Sequence, residues 1–370
     1  MQKVYLGGVT RGGTDQDIGQ AVRASAEATT DFTWLSKGDS VFIKPALNSG
    51  RPYPSTTSPA AIAAMVGLLK EKGAGRVVVG DMAGIEHLKL TPNGVSGSTQ
   101  SLMERCGMAR AAQEAGAELH FFEKPGWKAF YEDFPGAGSH WNNGLMMPAI
   151  LKEMDHIVLM PRCGRHALAG STLGLKAAVG YWRTDTRLEY HKAASTFHEK
   201  TAEANAVETL LNKQRLVVSA AYKILTTYGP DKGYVIQPQI GLVMASQSVV
   251  AHDMVSLAWL LLARRDTPQY EKTTLKDPNS SQLIVGLANR YIVGMLGGVS
   301  HALGADTLVR FDLDGITDDK ALNHAYVVFG GRPTVDIVAA NEMVPDDLKK
   351  RLSDMTNSKV PESASEMREN

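Results

Sequence analysis

The stretch from Pro161 to Lys192, PRCGRHALAGSTLGLKAAVGYWRTDTRLEYHK, concentrates side chains able to do chemistry. Arg162, Arg165, Lys176, Arg183, Arg187 and Lys192 stand against only Asp185 and Glu189, a local surplus of four positive charges, and His166 and His191 bracket the block. Gly170-Ser171-Thr172 precedes an apolar periodic run, so a loop feeding a helix is expected there, with the first helical N–H groups forming an anion seat. Lys176 follows Thr172 by four residues, which puts its amine and the Thr172 hydroxyl on one side of that helix. Cationic neighbours favour a neutral His166, as a general base or metal ligand near pH 7 requires. Each feature also has a plainer reading: a helix-surface lysine is ordinarily solvated, and loop histidines often cap helices. Cys163 sits in the same loop, where positive charge lowers a thiol pKa, although a single cysteine beside a core strand is usually inert.

These groups need a frame, and the pattern on either side supplies one. VFIKPALN (41–48), RVVVGDMAG (76–84), AELHFFEK (117–124), HIVLMPR (156–162), LVVSAA (216–221) and IGLVMAS (240–246) are expected strands, with Val4–Leu6 the first and AYVVFGG (325–331) the last. Helices are expected over 15–28, from Ser58-Pro59 to about Gly73, over 99–115, from about His252 onward and through most of 270–300. The alternation predicts an α/β fold, with mostly parallel sheet and crossover helices in two lobes enclosing a cleft. The expected division is an N-terminal lobe over 1–155, a second lobe over 156–345, and a polar, flexible tail over 346–370. In such folds ligands collect outside the carboxyl ends of strands, where Lys44, Asn48 and Asp81 lie. Asp81 would bind a substrate hydroxyl, hold a cation or orient a lysine, or else serve as a turn residue; Asp253 has the same choice against helix capping. The segments 84–98 and 125–148 exceed a simple connection and are candidate functional loops.

Composition narrows the classes. Lysine plus arginine equals aspartate plus glutamate at 39 each over 370 residues, so nothing global calls for nucleic acid or an acidic membrane as partner. The two cysteines, Cys106 and Cys163, form no CxxC pair, which argues against an iron–sulfur cluster bound by this chain alone and is compatible with a reducing cytoplasm. No apolar signal core or bilayer-length run is present. GGVTRGG and GSTLG lack the order of a P-loop, and no GxGxxG follows a strand.

In order, VFIKPALN, STTSPAAIAAMVGLLKEKGAGRVVVGDMAG, PRCGRHALAGSTLGLKAAVG and GLVMASQSVVAHDMVS resemble the motifs of domain-of-unknown-function family 362, over about 41–260. The resemblance points to Lys44, Ser58, Pro59, Gly80, Asp81, His166, Gly170, Lys176, His191 and Asp253. The chain departs from the pattern at Ala46, Arg165, Ala177 and Ser248, where the family often has asparagine, threonine, asparagine and aspartate, as an outlying member would. Many members carry ferredoxin segments, implying redox or metallocofactor chemistry, and this chain lacks one. The layout is also similar to that of nickel-pincer lactate racemases, whose motifs are not matched here.

The expected function is proton transfer, of racemase or isomerase type, on a small carboxylate or phosphate metabolite. Lys44, Arg162, Arg165, Gly170, Ser171 and Thr172 would bind it, His166 and Lys176 would be the acid/base pair, and Asp81, His191 and Asp253 would orient them or hold a divalent or transition metal. The alternative is a non-catalytic protein binding a metal, a metallocofactor or a redox partner. A homo-oligomer is compatible with either.

Overall fold

The computed structural model describes residues 1–277 and 281–358. Eight strands form its main sheet: β1 (Gln2–Thr10), β2 (Ser40–Pro45), β3 (Arg76–Asp81), β4 (Glu118–Phe121), β5 (His156–Met160), β6 (Gln214–Ala221), β7 (Ile240–Ser246) and β8 (Val335–Ala339). Their order is β8-β1-β7-β6-β5-β2-β3-β4. All run parallel except β7, which is antiparallel to both β1 and β6. Near-continuous apolar runs such as Val41–Ile43, Val77–Val79 and Ile157–Met160 suit strands covered on both faces.

Alternate residues of the strands feed two different cores. Val158, Val218 and Val243 pack under α1 (Asp15–Thr29) and α2 (Pro59–Glu71). Leu159, Val217 and Leu242 face α3 (Val249–Arg265), which is buried along its length from Val249 to Ala263. Helix α1 starts where Thr14 and Asp17 close a capping box, and α2 where Ser58 caps a Pro59 at its first position. Among the described residues no helix is long and apolar enough to cross a membrane.

The chain leaves β2 for β3 on one side and leaves β5 for β6 on the other, so the connections diverge between β2 and β5. This is the crevice in which open α/β sheets take ligands, and Lys44 and Arg162 lie at its lip.

Several expectations change. The expected 155/156 division runs through this sheet, because β5 pairs with β2 and β1 pairs with β7 and β8. Gly107, at φ +82, breaks the expected 99–115 helix into Thr99–Arg105 and Met108–Glu114. The expected strand at 325–331 is the end of a helix, Lys320–Val328, and the late strand is Val335–Ala339. Within 270–300, Gln282–Gly297 is helical, while 278–280 lie outside the described residues. The expected flexible tail begins instead as a helix, Asp346–Thr356, which packs on α3 and β8 through Leu348 and Leu352; the rest of it, 359–370, lies outside the described residues. Leu352 is fully buried in that contact, so Leu352→Ala is expected to destabilise the protein by about 2–5 kcal/mol in chemical denaturation. A loss under about 1 kcal/mol would show that this helix does not dock.

Candidate functional site

A cleft of about 760 Å³ opens over the carboxyl ends of β2, β3 and β5. It gathers Lys44, Asp81, Arg162, His166, Thr172, Lys176 and His191 from the expected set, and adds Arg187, Asn48, Asp231, Glu86 and His87. Lys44, Asp81, Arg162 and Arg187 are buried in its wall, whereas Glu86 and His87 are exposed.

Lys44 ends β2 and Asp81 ends β3, and their side chains meet at 2.8 Å with each 1% exposed. Burial alone pushes the lysine down and the aspartate up in pKa, and their mutual contact opposes both shifts. Asp81 also accepts the N–H groups of Met82 and Leu47, at 2.8 and 2.9 Å, while Lys44 donates to its neighbour's carbonyl, Pro45 O, at 2.6 Å. Gly180 lies against the pair: a Cβ there would stand 2.4 Å from Lys44 Nζ and 2.5 Å from Asp81 Oδ1. Arg187 is held by Ala83 O at 2.7 Å and Met82 O at 2.9 Å. Arg162 donates to Ser55 O and to Pro230 O. The Nε atoms of Arg162 and Arg187 are buried without a hydrogen-bond partner. Burial pulls both guanidinium groups down to about 10, so both stay charged at neutral pH.

Lys176 lies over the rings of Tyr190 (5.3 Å) and Phe197 (5.7 Å). Burial, then Arg162 and Arg187, bring its amine down to about 7. The two histidines are tuned differently. His166 Nδ1 accepts the N–H of Leu168 at 3.1 Å and of Ala169 at 3.2 Å, which puts the proton of the neutral ring on Nε2. Burial, with Lys176, Arg162 and His191 nearby, drives its pKa far down. His166 is therefore a neutral ring with its proton on Nε2. In His191, Nδ1 meets Asn289 Oδ1 at 3.0 Å, and Asn289 Nδ2 donates to His191 O at 2.9 Å. That amide orientation assigns the proton to Nδ1 and the lone pair to Nε2. Burial, then Lys176, hold the ring at about 3.

Four expected residues do another job. Gly170–Thr172 is a strand paired with Gly164–His166, so no helix starts there. The helix is Gly174–Ala177, and its first N–H groups, on Gly174 and Leu175, donate to the Asp253 carboxylate at 2.8 and 2.7 Å. Asp253 thus fills the expected anion seat. Ser171 binds Asp319 at 3.0 Å, and Gly170, at φ +81, faces the Phe311 ring. Arg165 is buried near Asp277, at 3.8 Å. Cys163 is buried and burial raises its pKa, the reverse of a reactive thiolate. A void of about 20 Å³, lined by Lys176, Ser171, Thr201, Asp253 and Asp319, has room for about one water. Among the described residues Asp81, His191 and Asp253 do not converge as a metal-ligand set, but Glu86, His87 and Asp231 do, at the exposed side of the cleft. Asp231 there already accepts from Asn48 and Ser49, both at 2.9 Å.

Arg187 was legible only as part of the charge surplus. The signal that places it is its four-residue spacing from His191 on the helix Thr184–Lys192, both side chains being buried. Asn48 is marked by its strand-end position and Glu86 and His87 by the long 84–98 loop, whereas Asp231 carries no comparable local signal.

The fold is that of an open α/β protein with a crevice lined by basic residues at a topological switch point. The chain belongs to the family described as Domain of unknown function (DUF362), whose model matches residues 41–258. No curated protein matches it. Among solved structures, a Thermotoga maritima protein is 14% identical with a TM-score of 0.40, over 68% of this chain and 57% of its own. The lactate racemase apoprotein of Thermoanaerobacterium thermosaccharolyticum is 12% identical with a TM-score of 0.37, over 61% of this chain and 50% of its own. The chain thus spans little more than half of either protein, and the chemistry of its cleft rests on its own residues.

The pair that closes the cleft floor has a measurable weight. Asp81→Asn leaves Lys44 charged and buried without its counter-ion, and a loss of about 3–5 kcal/mol is expected. The double variant Lys44→Met, Asp81→Leu should recover much of that loss in denaturant titrations, whereas additive losses would mean that the two charges are not coupled.

Proposed function

We propose that this chain is an enzyme acting on a small metabolite bearing a carboxylate or phosphate, and that its cleft moves a proton on the carbon beside a carbonyl or carboxylate. The observation that carries this reading is the convergence of Lys176, Arg162 and Arg187 on one cleft, where burial and the two guanidinium groups bring the lysine amine down to about 7. A lysine near pH 7 is a usable base when neutral and a usable acid when charged. In the proposed step the neutral amine takes the C–H proton, the electron pair moves onto the substrate oxygen, and the resulting ammonium returns the proton to the same or an adjacent carbon. Arg162 and Arg187 bind the anionic group and, with Lys44 behind them, stabilise the negative charge that develops. His166, protonated at Nε2, donates a hydrogen bond to it. His191 Nε2 accepts one from a substrate hydroxyl, and Thr172 completes the binding wall.

The second reading, a metal-binding accessory protein, is favoured by Glu86, His87 and Asp231 at the same cleft. Elemental analysis and solvent exchange separate the two. In D2O the protein should wash deuterium into the α-position of at least one member of a panel of small hydroxy, keto and amino acids, and Lys176→Ala should lower the rate at least about 100-fold. A panel with no exchange, from a protein that holds one tightly bound metal and loses it in Asp231→Ala but not in His324→Ala, would establish the second reading instead.

Anion binding should also follow pH in a defined sense. Below about 7 Lys176 is an ammonium and attracts the anion; above it the charge is lost. Thermal stabilisation by phosphate or a small carboxylate is therefore expected to fall between pH 6 and 8.5, while the exchange rate of the bound substrate rises. Lys176→Met should flatten the binding profile; an unchanged step would assign it to another group.

A further inference from the structure

We propose that His140, Glu203 and His324 form a transition-metal site separate from the cleft. The three come from distant parts of the chain. Glu203 ends the helix Phe197–Glu203, His324 lies on Lys320–Val328, which packs against it, and His140 lies in the loop before the strand Leu145–Pro148. His140 Nδ1 stands 2.5 Å and His324 Nε2 2.9 Å from one oxygen, Glu203 Oε1. The other carboxylate oxygen accepts the His140 backbone N–H at 2.9 Å. All three ligand atoms lie within 4.8 Å of one another, and the rings meet edge to face at 5.5 Å.

Two imidazoles and one carboxylate converging on a point is a borderline donor set, suited to zinc, cobalt, nickel or iron(II) rather than to magnesium or calcium. The Glu203 carboxylate is 5% exposed and oriented by a backbone donor, the outer support that metal ligands commonly have. The imidazoles are 39% and 23% exposed, which leaves an entry path and room for water to complete the coordination. Tetrahedral bonds of about 2.0–2.2 Å set ligand atoms about 3.4 Å apart, so each ring needs to withdraw by less than ~1 Å. Coordination takes lone pairs at the two nitrogens that now face the carboxylate, so an ion would displace their protons. The bound ion would tie the loop to the helix pair. Trp141, the next residue in that loop, stacks beside Tyr190, whose ring lies under Lys176, so the tie also steadies one wall of the cleft.

The test uses the full-length chain without a histidine tag, stripped with a chelator and titrated with Co2+ and Zn2+. One equivalent of Co2+ should give a visible d–d spectrum, and Zn2+ should raise the melting temperature. His140→Ala and His324→Ala, checked for native circular dichroism, should each weaken binding at least about 10-fold, while Lys176→Met leaves it unchanged. The proposal is overturned if neither ion binds the wild-type chain, or if both histidine variants bind as tightly as wild type, which would put the ion elsewhere, for instance on Glu86, His87 and Asp231.

Discussion

The ion pair between Lys44 and Asp81 is the constraint on which the rest of the cleft depends. Two charges with 1% exposure at the ends of neighbouring strands are tolerable only together, since an unpaired buried ion costs several kcal/mol. Asp81 meets that condition and also receives two backbone N–H groups, so it sets the course of the chain leaving both β2 and β3. The carbonyls of Met82 and Ala83 then hold Arg187, and through it the helix that presents His191. Gly180 completes the arrangement, because a side chain there would occupy the space of the pair itself.

The cleft concentrates cations more than folding alone would favour. Arg162, Lys176 and Arg187 are drawn into one partly desolvated space with Asp81 as the buried counter-charge. Burial lowers the proton affinity of all three, Arg162 and Arg187 lower that of Lys176 further, and the weakest holder of its proton is Lys176. Repulsion of this kind lowers the stability of the free protein, and an anion placed among these groups would relieve it, which is the ground of the proposed anion site. Burial, reinforced by these cations, favours the neutral form of His166 and His191, and backbone and asparagine partners decide which nitrogen carries the proton.

The alternation of apolar runs with helical periods was enough to place six of the eight main-sheet strands closely, because buried parallel strands read as short continuous apolar segments. It misplaced the last strand, since AYVVFGG is as apolar as VDIVA, and what distinguishes it is the Asp319 cap upstream and packing against both Phe197–Glu203 and α3. The basic block stands out from charge and spacing, and five of its expected residues meet Lys44 and Asp81 in the cleft. Hydrogen-bond commitments were not legible. Nothing local in GSTLGLK reveals that Asp253, 79 residues after Gly174, already occupies the N–H groups read as an anion seat, nor that Arg165 points away from the cleft toward Asp277. The glycines at 170 and 174 mark close approaches of Phe311 and Asp253, a meaning that composition cannot distinguish from a phosphate loop.

The single antiparallel strand carries a consequence for how the chain reaches this state. β1 precedes the other seven strands, yet its two neighbours are β7 and β8, more than two hundred and three hundred residues later. Until Ile240–Ser246 leaves the ribosome, β1 is an apolar ribbon with both edges unpaired, the kind of segment that seeks other chains. The middle of the sheet, β2 to β6, can assemble without it in order of synthesis. The sheet therefore closes late: its middle is complete before its edge, and β1 stays open to other chains until β7 and β8 follow it.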